Sequence, residues 1–168
     1  MNGIVIYASH FGNTRAIAEA IAKGLRSRGA VRVFAAEDVG ATLPEKADLV
    51  VIGGPTEAHG MTPPLTELLS RLEPDTLRGI AAAGFDTRLR WPRWLSGSAG
   101  SSITEKLRQA GAQVIAPAES FFIKGVAGTG GSKTATLQDG DLERAMAWGA
   151  SLADRLEPAT PAALGGTR

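Results

Sequence analysis

Residues 4–15 read IVIYASHFGNTR, and this stretch decides the fold. A continuous apolar run, typical of a strand buried on both faces, leads into a short polar loop that opens directly into a helix. The loop offers two hydroxyls, an amide and a glycine, from Ser9, Thr14, Asn13 and Gly12. Backbone N–H groups at a helix start are unpaired and carry partial positive charge, so this shape attracts a phosphate. Since no Lys or Arg lies inside the turn, we expect hydroxyls and amides to hold that phosphate.

The whole chain has the composition of an ordinary soluble protein with one domain. Its 168 residues carry a net charge of +1, which gives no reason to expect binding to nucleic acid or to a membrane. There are no cysteines, so disulfides and thiolate chemistry are excluded, and His10 and His59 lie too far apart to suggest a metal site. No apolar run is long enough to span a bilayer, and a strand begins almost at the N-terminus. We therefore expect no signal peptide and a cytoplasmic protein.

Strand-like and helix-like patterns alternate along the chain about five times. Apolar runs predict strands at residues 4–8, 31–35, 48–54, 79–85, 113–115 and 120–124, the last two forming one strand interrupted near Pro117. Helices are predicted at residues 13–28, 62–72, 101–110 and 139–156. The alternation predicts an α/β domain over residues 1–157, with a parallel sheet covered by helices on both faces. Residues 158–168, rich in Pro, Ala, Gly and Thr, are predicted to form a flexible C-terminal tail.

Ligands of open parallel sheets bind at the carboxyl ends of the strands, where the strand order reverses. The loops predicted at that edge begin at Ser9, Gly54, Phe85 and Lys124. The first of them lacks the three spaced glycines of a dinucleotide-binding fingerprint and the Gly-Lys-Ser/Thr of a nucleoside-triphosphate loop. Residues 128–134 (GTGGSKT) hold the latter's residue types in the wrong order, so we interpret them as a flexible loop.

Residues 9–14 (SHFGNT) resemble the FMN phosphate loop of the flavodoxin family, whose pattern is Ser/Thr-x-Thr-Gly-x-Thr. Ser9, Gly12 and Thr14 match this pattern, whereas Phe11 stands where the family usually has a hydroxyl. One phosphate hydrogen bond is therefore missing, or is replaced by backbone N–H groups and the Asn13 side chain. The resemblance implies a flavodoxin-like, doubly wound sheet of five parallel strands in the order 2-1-3-4-5. It also implies FMN as the cofactor, with a phosphate site made by Ser9, His10, Phe11, Gly12, Asn13 and Thr14.

Two further loops occupy the places of the family's loops that flank the flavin ring. The second loop resembles the family's Pro-Thr-aromatic loop, which implies ring contacts by Pro55, Thr56, Glu57, Ala58, His59 and Gly60. His59 is expected either to meet the ring or to remain in solvent. The third loop implies contacts by Asp86, Thr87, Arg88 and Trp91. Trp91 or Trp94 offers a stacking surface, and the alternative is that both pack the loop onto the next helix.

The third loop is basic where the family is usually acidic, because Arg88, Arg90 and Arg93 outnumber Asp86. If these arginines face the ring, they stabilise the reduced, anionic flavin and make its potential less negative than in typical members. A basic rim would also steer acidic partner proteins toward the ring. The alternative is that the arginines point into solvent or pair with Asp86 and Glu119.

The sequence thus predicts a flavodoxin-like electron-transfer protein that binds FMN non-covalently. We expect it to act with redox partner proteins, as a monomer or weak dimer. The flavin carries the chemistry and no residue needs a catalytic role, which favours a redox carrier over a stand-alone enzyme. One alternative is a small FMN-dependent NAD(P)H reductase. Another is an interaction module that keeps the flavodoxin fold and has lost FMN.

Overall fold

The strands and helices follow the predicted alternation. The computed structural model describes residues 1–40, 47–57, 60–90, 97–124 and 135–156, so the predicted tail and the 128–134 loop lie outside the described residues. The strands are β1 (Asn2–Tyr7), β2 (Ala30–Ala35), β3 (Leu49–Pro55), β4 (Ala81–Leu89), β5 (Gln113–Val114), β6 (Glu119–Lys124) and β7 (Thr136–Leu137). The helices are α1 (Asn13–Leu25), α2 (Pro63–Ser70), α3 (Ala99–Gln109) and α4 (Asp141–Asp154), and short 3-10 helices follow α1 (Arg26–Arg28) and β2 (Ala36–Asp38). Of the helices described, none is both long and apolar enough to cross a membrane.

The sheet is doubly wound, with the strand order β2-β1-β3-β4-β6-β7. Neighbouring strands from β2 to β6 are parallel, whereas β6 and β7 are antiparallel. The predicted class and the order 2-1-3-4 are confirmed, but five strands are too few. The predicted last strand is two strands, since β5 and β6 pair with β4 one after the other along its length. The two residues of β7 are too short a run for an apolar pattern to reveal.

Alternate residues of the central strands face two separate cores, which explains why these strands read as continuous apolar runs. On one face, Ile6 and Ile52 pack with the apolar residues of α2 and α3. On the other face, Val5 and Val51 pack with those of α1 and α4. Beyond both cores, at the carboxyl ends of the strands, the side chains become polar. This edge of the sheet carries the site described below.

The helices α1 and α4 approach each other backbone to backbone. A Cβ atom added at Gly24 would lie 2.0 Å from the carbonyl oxygen of Met146, and one added at Gly149 would lie 2.2 Å from that of Ile21. Both neighbours are backbone atoms, so neither position leaves room for a side chain. The two glycines therefore set the distance between α4 and α1, the helix that the 9–14 loop opens into.

Side chains of α4 complete the edge of β6 where β7 does not pair with it. Asp141 accepts a hydrogen bond from the backbone N–H of Phe122 at 2.6 Å, and Arg144 donates to the carbonyl oxygen of Ser120 at 2.7 Å. Asp141 and Arg144 are themselves paired at 2.9 Å. The two side chains thus satisfy backbone groups that another strand would otherwise pair.

We predict that Gly149→Ala lowers the free energy of unfolding by about 1–3 kcal/mol, the usual cost of forcing atoms into a packed contact. This loss occurs even though alanine has the better helix propensity, by about 1 kcal/mol. Chemical denaturation measures the change. Gly40→Ala is the control, because nothing lies within 4 Å of a Cβ added there. Equal effects of the two substitutions would contradict the close helix contact.

Candidate functional site

A pocket of about 180 Å³ lies at the carboxyl edge of the sheet, next to the N-terminus of α1. Its walls come from the loop after β1, the end of β3 and the residues after it, β4, β6 and the residue before β7. The lining residues are Ser9, His10, Phe11, Asn13, Thr14, Pro55, Thr56, Glu57, Thr87, Ile123 and Ala135. All except Ile123 and Ala135 are residues that the sequence assigns to cofactor binding. The sequence signal for Ile123 and Ala135 is the strand predicted to end at Lys124, because the carboxyl end of that strand lies at the same edge of the sheet.

Gly12 ends the first loop and caps α1. Its φ of +83° is a left-handed conformation that glycine adopts without strain. Its N–H donates to the hydroxyl oxygen of Ser9 at 3.1 Å. The first turn of α1 has no acidic residue and no capping side chain. Its first N–H groups therefore have no acceptor within the helix, and their partial positive charge favours an anion.

Asn13 and Thr14 fasten the first loop to distant parts of the chain. The side-chain amide of Asn13 donates to the carbonyl oxygen of Ala135 at 2.8 Å, which uses one of its two N–H donors. The hydroxyl of Thr14 lies 2.7 Å from that of Thr87 on β4, and both residues are buried. The floor of the pocket is thus a pair of hydroxyls that share a hydrogen bond.

His10 and Glu57 connect the first and second loops. The imidazole Nε2 atom lies 3.1 Å from a carboxylate oxygen of Glu57, and both side chains are about half exposed. Phe11, beside His10 in the first loop, is 65% exposed and gives the pocket an apolar rim. Among the described residues that line the pocket there is no Lys or Arg. Arg15 donates instead to Glu19 at 2.9 Å, and this hydrogen bond raises the pKa of the Arg15 guanidinium.

The second loop is closed by a backbone pair. Glu57 and Gly60 exchange both N–H···O hydrogen bonds, at 3.0 and 2.8 Å. This pair lies just after Pro55, where β3 ends, and the N–H of Thr56 donates to the carbonyl oxygen of Thr87 on β4 at 2.9 Å, which holds the start of the loop against the sheet. Ala58 and His59 lie outside the described residues, and their contacts with a ring stay predictions.

The third predicted loop begins later than expected, because β4 continues past its predicted end. The prediction that Asp86, Thr87 and Arg88 belong to a loop is wrong. They are strand residues paired with β6, and they are 0, 2 and 7% exposed. The apolar pattern stops at Phe85, so polar side chains conceal the rest of the strand. Trp91 lies outside the described residues, and its stacking stays a prediction.

The buried carboxylate of Asp86 ties the second loop to the start of α3. One of its oxygens accepts from the hydroxyls of Thr56 at 3.2 Å and Ser98 at 2.7 Å, and from the N–H of Gly100 at 3.0 Å. The Thr56 hydroxyl oxygen in turn accepts from the N–H of Ala99 at 3.0 Å. This hydroxyl is therefore committed to Asp86 and α3 rather than to a ligand. We call these five residues the Asp86 clasp. Sequence reasoning did not include Ser98, Ala99 and Gly100 in the site. The signal that could have found them is Asp86 itself, because a carboxylate that follows a buried apolar strand needs hydrogen-bond donors nearby.

Arg88 lies beside Asp86 inside the sheet. Its Nε atom is 3.8 Å from the second carboxylate oxygen of Asp86, which has no hydrogen-bond partner among the described residues. The same Nε donates to the hydroxyl oxygen of Ser120 at 3.2 Å. The prediction that Arg88 belongs to an exposed basic rim is therefore wrong. The structure shows the alternative, in which Arg88 pairs with Asp86. Arg90 is exposed, and Arg93 lies outside the described residues.

The place and chemistry of the pocket define a class of protein. It lies at the carboxyl ends of β1 and β3, between which the strand order reverses. Hydroxyl groups and the N-terminus of α1 converge there, and this combination suits the phosphate of a nucleotide. The molecule is therefore a doubly wound α/β protein of the nucleotide-binding kind.

A family model for flavodoxin matches residues 5–148, and the chain belongs to the flavodoxin family, whose proteins bind FMN. A flavodoxin from the domain Archaea is similar at 26% identity and a TM-score of 0.71, over 93% of this chain and 99% of that one. Flavodoxin 1 from Bacillus cereus is similar at 23% identity and a TM-score of 0.75, over 94% and 100%. The flavodiiron protein from Giardia intestinalis is similar at 21% identity and a TM-score of 0.73, over 92% of this chain and 36% of its own. No curated protein matches the chain in sequence.

The residues of the pocket fit FMN. The unpaired N–H groups of α1 lie at one end with the hydroxyls of Ser9, Thr14 and Thr87, all of them donors suited to phosphate oxygens. The walls are partly apolar, through Pro55 and Ile123. This is the mixture that a ligand with an anionic end and an aromatic end requires.

We predict that Asp86→Ala lowers the free energy of unfolding by about 3–5 kcal/mol, because it removes the carboxylate of the buried Asp86–Arg88 pair. It also removes the acceptor of three hydrogen bonds. Asp86→Asn keeps an oxygen for those donors and should cost less. Chemical denaturation measures both. Asp154→Ala, which breaks an exposed pair with Arg28, is the control and should lower the free energy of unfolding by less than about 1 kcal/mol. A similar decrease in all three variants would contradict the stabilising role of the clasp.

Proposed function

We propose that this protein is a redox carrier that binds FMN non-covalently and exchanges electrons with separate partner proteins. The observation that supports this most is the donor set of the pocket, in which hydroxyls and helix N–H groups converge without a cationic side chain among the described lining residues. Membership of the flavodoxin family agrees with that chemistry. The function is thus inferred from the site and the family together.

The phosphate end is assigned to the first loop and α1. The N–H groups of the first helical turn point along the helix axis, where they donate to phosphate oxygens. The hydroxyl of Ser9 keeps its own proton to donate, since among the described residues its oxygen only accepts from Gly12. Partial charges and hydrogen bonds therefore replace a salt bridge in this proposal.

The ring end is assigned to the second loop. When bound, FMN supplies reversible one- and two-electron chemistry. The Glu57–Gly60 backbone pair and the Asp86 clasp hold this loop in one position, so the ring meets a preformed wall. His10 and Glu57 close one side of the pocket by pairing with each other. The exposed ring of Phe11 provides an apolar contact near the pocket where a partner protein approaches.

We predict that Gly12→Asp weakens FMN binding at least about tenfold and leaves riboflavin binding unchanged, because a new carboxylate repels the phosphate. Aspartate tolerates a left-handed backbone better than most residues, and nothing lies within 4 Å of a Cβ added at Gly12, so we expect the fold to be retained. Titration of the cofactor-free protein with each flavin measures both affinities.

Gly140→Asp is the matched control for that substitution. Gly140 caps α4, has the same φ of +83° as Gly12, and has nothing within 4 Å of an added Cβ. It should leave both affinities unchanged. Equal weakening by the two substitutions would contradict the phosphate assignment. A wild-type protein that stays colourless with excess FMN would overturn the proposed function itself.

We predict that NADH or NADPH alone reduces the FMN-loaded protein far more slowly than dithionite does. In the proposed function FMN takes the pocket at the sheet edge and its electrons come from separate partner proteins, so a nicotinamide donor is not the physiological reductant. Anaerobic stopped-flow absorbance measures the rates. Rapid bleaching by NADH or NADPH without a partner would favour a reductase instead.

A further inference from the structure

We propose that Thr87, on strand β4, supplies the phosphate hydrogen bond that Phe11 cannot give. This inference rests on the proposed function and assigns Thr87 to the phosphate end of the site rather than to the ring. The first loop departs from the family's phosphate-loop pattern at Phe11. Phe11 occupies the place of a hydroxyl, its ring has no donor, and 65% of it is exposed.

Thr87 reaches the phosphate end through its contact with Thr14. The two hydroxyl oxygens are 2.7 Å apart, and both residues line the pocket. Thr14 is the second residue of α1, so this pair lies within the first helical turn, beside the unpaired N–H groups. Thr87 therefore reaches the phosphate end from strand β4, whereas a hydroxyl at position 11 would belong to the loop itself.

The hydroxyl pair has one proton more than its own hydrogen bond uses. Each hydroxyl carries one proton, and a single proton lies between the two oxygens. The other proton has no acceptor among the residues that the structure describes. A donor left unpaired at the floor of a pocket is costly, and a phosphate oxygen in the pocket would accept from it. When a phosphate occupies the pocket, both hydroxyls turn toward its oxygens, so the pair supplies two donors where Thr14 alone would supply one.

The other groups of the pocket do not compete for that proton. The carboxylate of Glu57 is paired with His10. The hydroxyl of Thr56 is committed to the Asp86 clasp. The geometry thus points to Thr87 as the hydroxyl that completes the phosphate site.

The test compares affinities for FMN and riboflavin, because their ratio isolates the contribution of the phosphate. Thr87→Val should lower the ratio about 10- to 100-fold, as expected for a lost hydrogen bond to a charged group, and leave riboflavin binding unchanged. Adding Phe11→Thr to Thr87→Val should restore much of the ratio. Thr104→Val is the matched control, since Thr104 is also buried but bonds to Gly100 on α3; it should leave the ratio unchanged.

An unchanged ratio in Thr87→Val, or equal losses for FMN and riboflavin, would overturn the inference. If Thr87→Val does not fold, Thr87→Ser should keep the ratio and Thr87→Ala should lose it, and equal ratios in these two would overturn it. If the wild type binds neither flavin, the proposed function fails, and inorganic phosphate becomes the probe. Broadening of its ³¹P signal by the wild type but not by Thr87→Ala would still support Thr87, whereas no broadening by either would overturn that role.

Discussion

A carboxylate taken out of water must be surrounded by donors, and the carboxyl edge of this sheet is arranged around that requirement. Asp86 is fully buried, and its donors come from the segment after β3 and from the start of α3. The N-terminus of α3 adds partial positive charge to the hydrogen bonds. As a result, the ends of β3 and β4 and the start of α3 cannot move independently of one another.

The polar groups near the pocket have two kinds of task. Asn13 and Thr56 hold segments of the chain together, and the hydroxyl oxygen of Ser9 accepts from Gly12. Hydroxyl protons and helix N–H groups are left to meet a ligand. In the proposed function, such a neutral site would recognise phosphate by hydrogen-bond direction, and salt would screen these short contacts less than it screens exposed ion pairs. Rigid support and ligand contact therefore come from different atoms of the same few residues.

The alternation of apolar segments was sufficient to predict the α/β class, because each central strand is buried on both faces. By the rule of strand order it also predicted a site at the carboxyl ends of the strands, and the pocket described above lies at that edge. The end of β4 could not be predicted, because Asp86 and Arg88 become compatible with a buried strand only through partners such as Ser98 and Ser120. A local pattern carries no information about those distant contacts.

The hydrogen bond between Asn13 and Ala135 joins positions that are 122 residues apart. Ile123 and Ala135 also form part of the pocket wall, so the pocket is complete only after the C-terminal strands have joined the sheet. During synthesis, a chain that ends after β4 would display the first loop without the finished site. In the proposed function, capture of the cofactor would therefore be a late event in folding. A ligand that binds only the finished fold stabilises the first and last strands together.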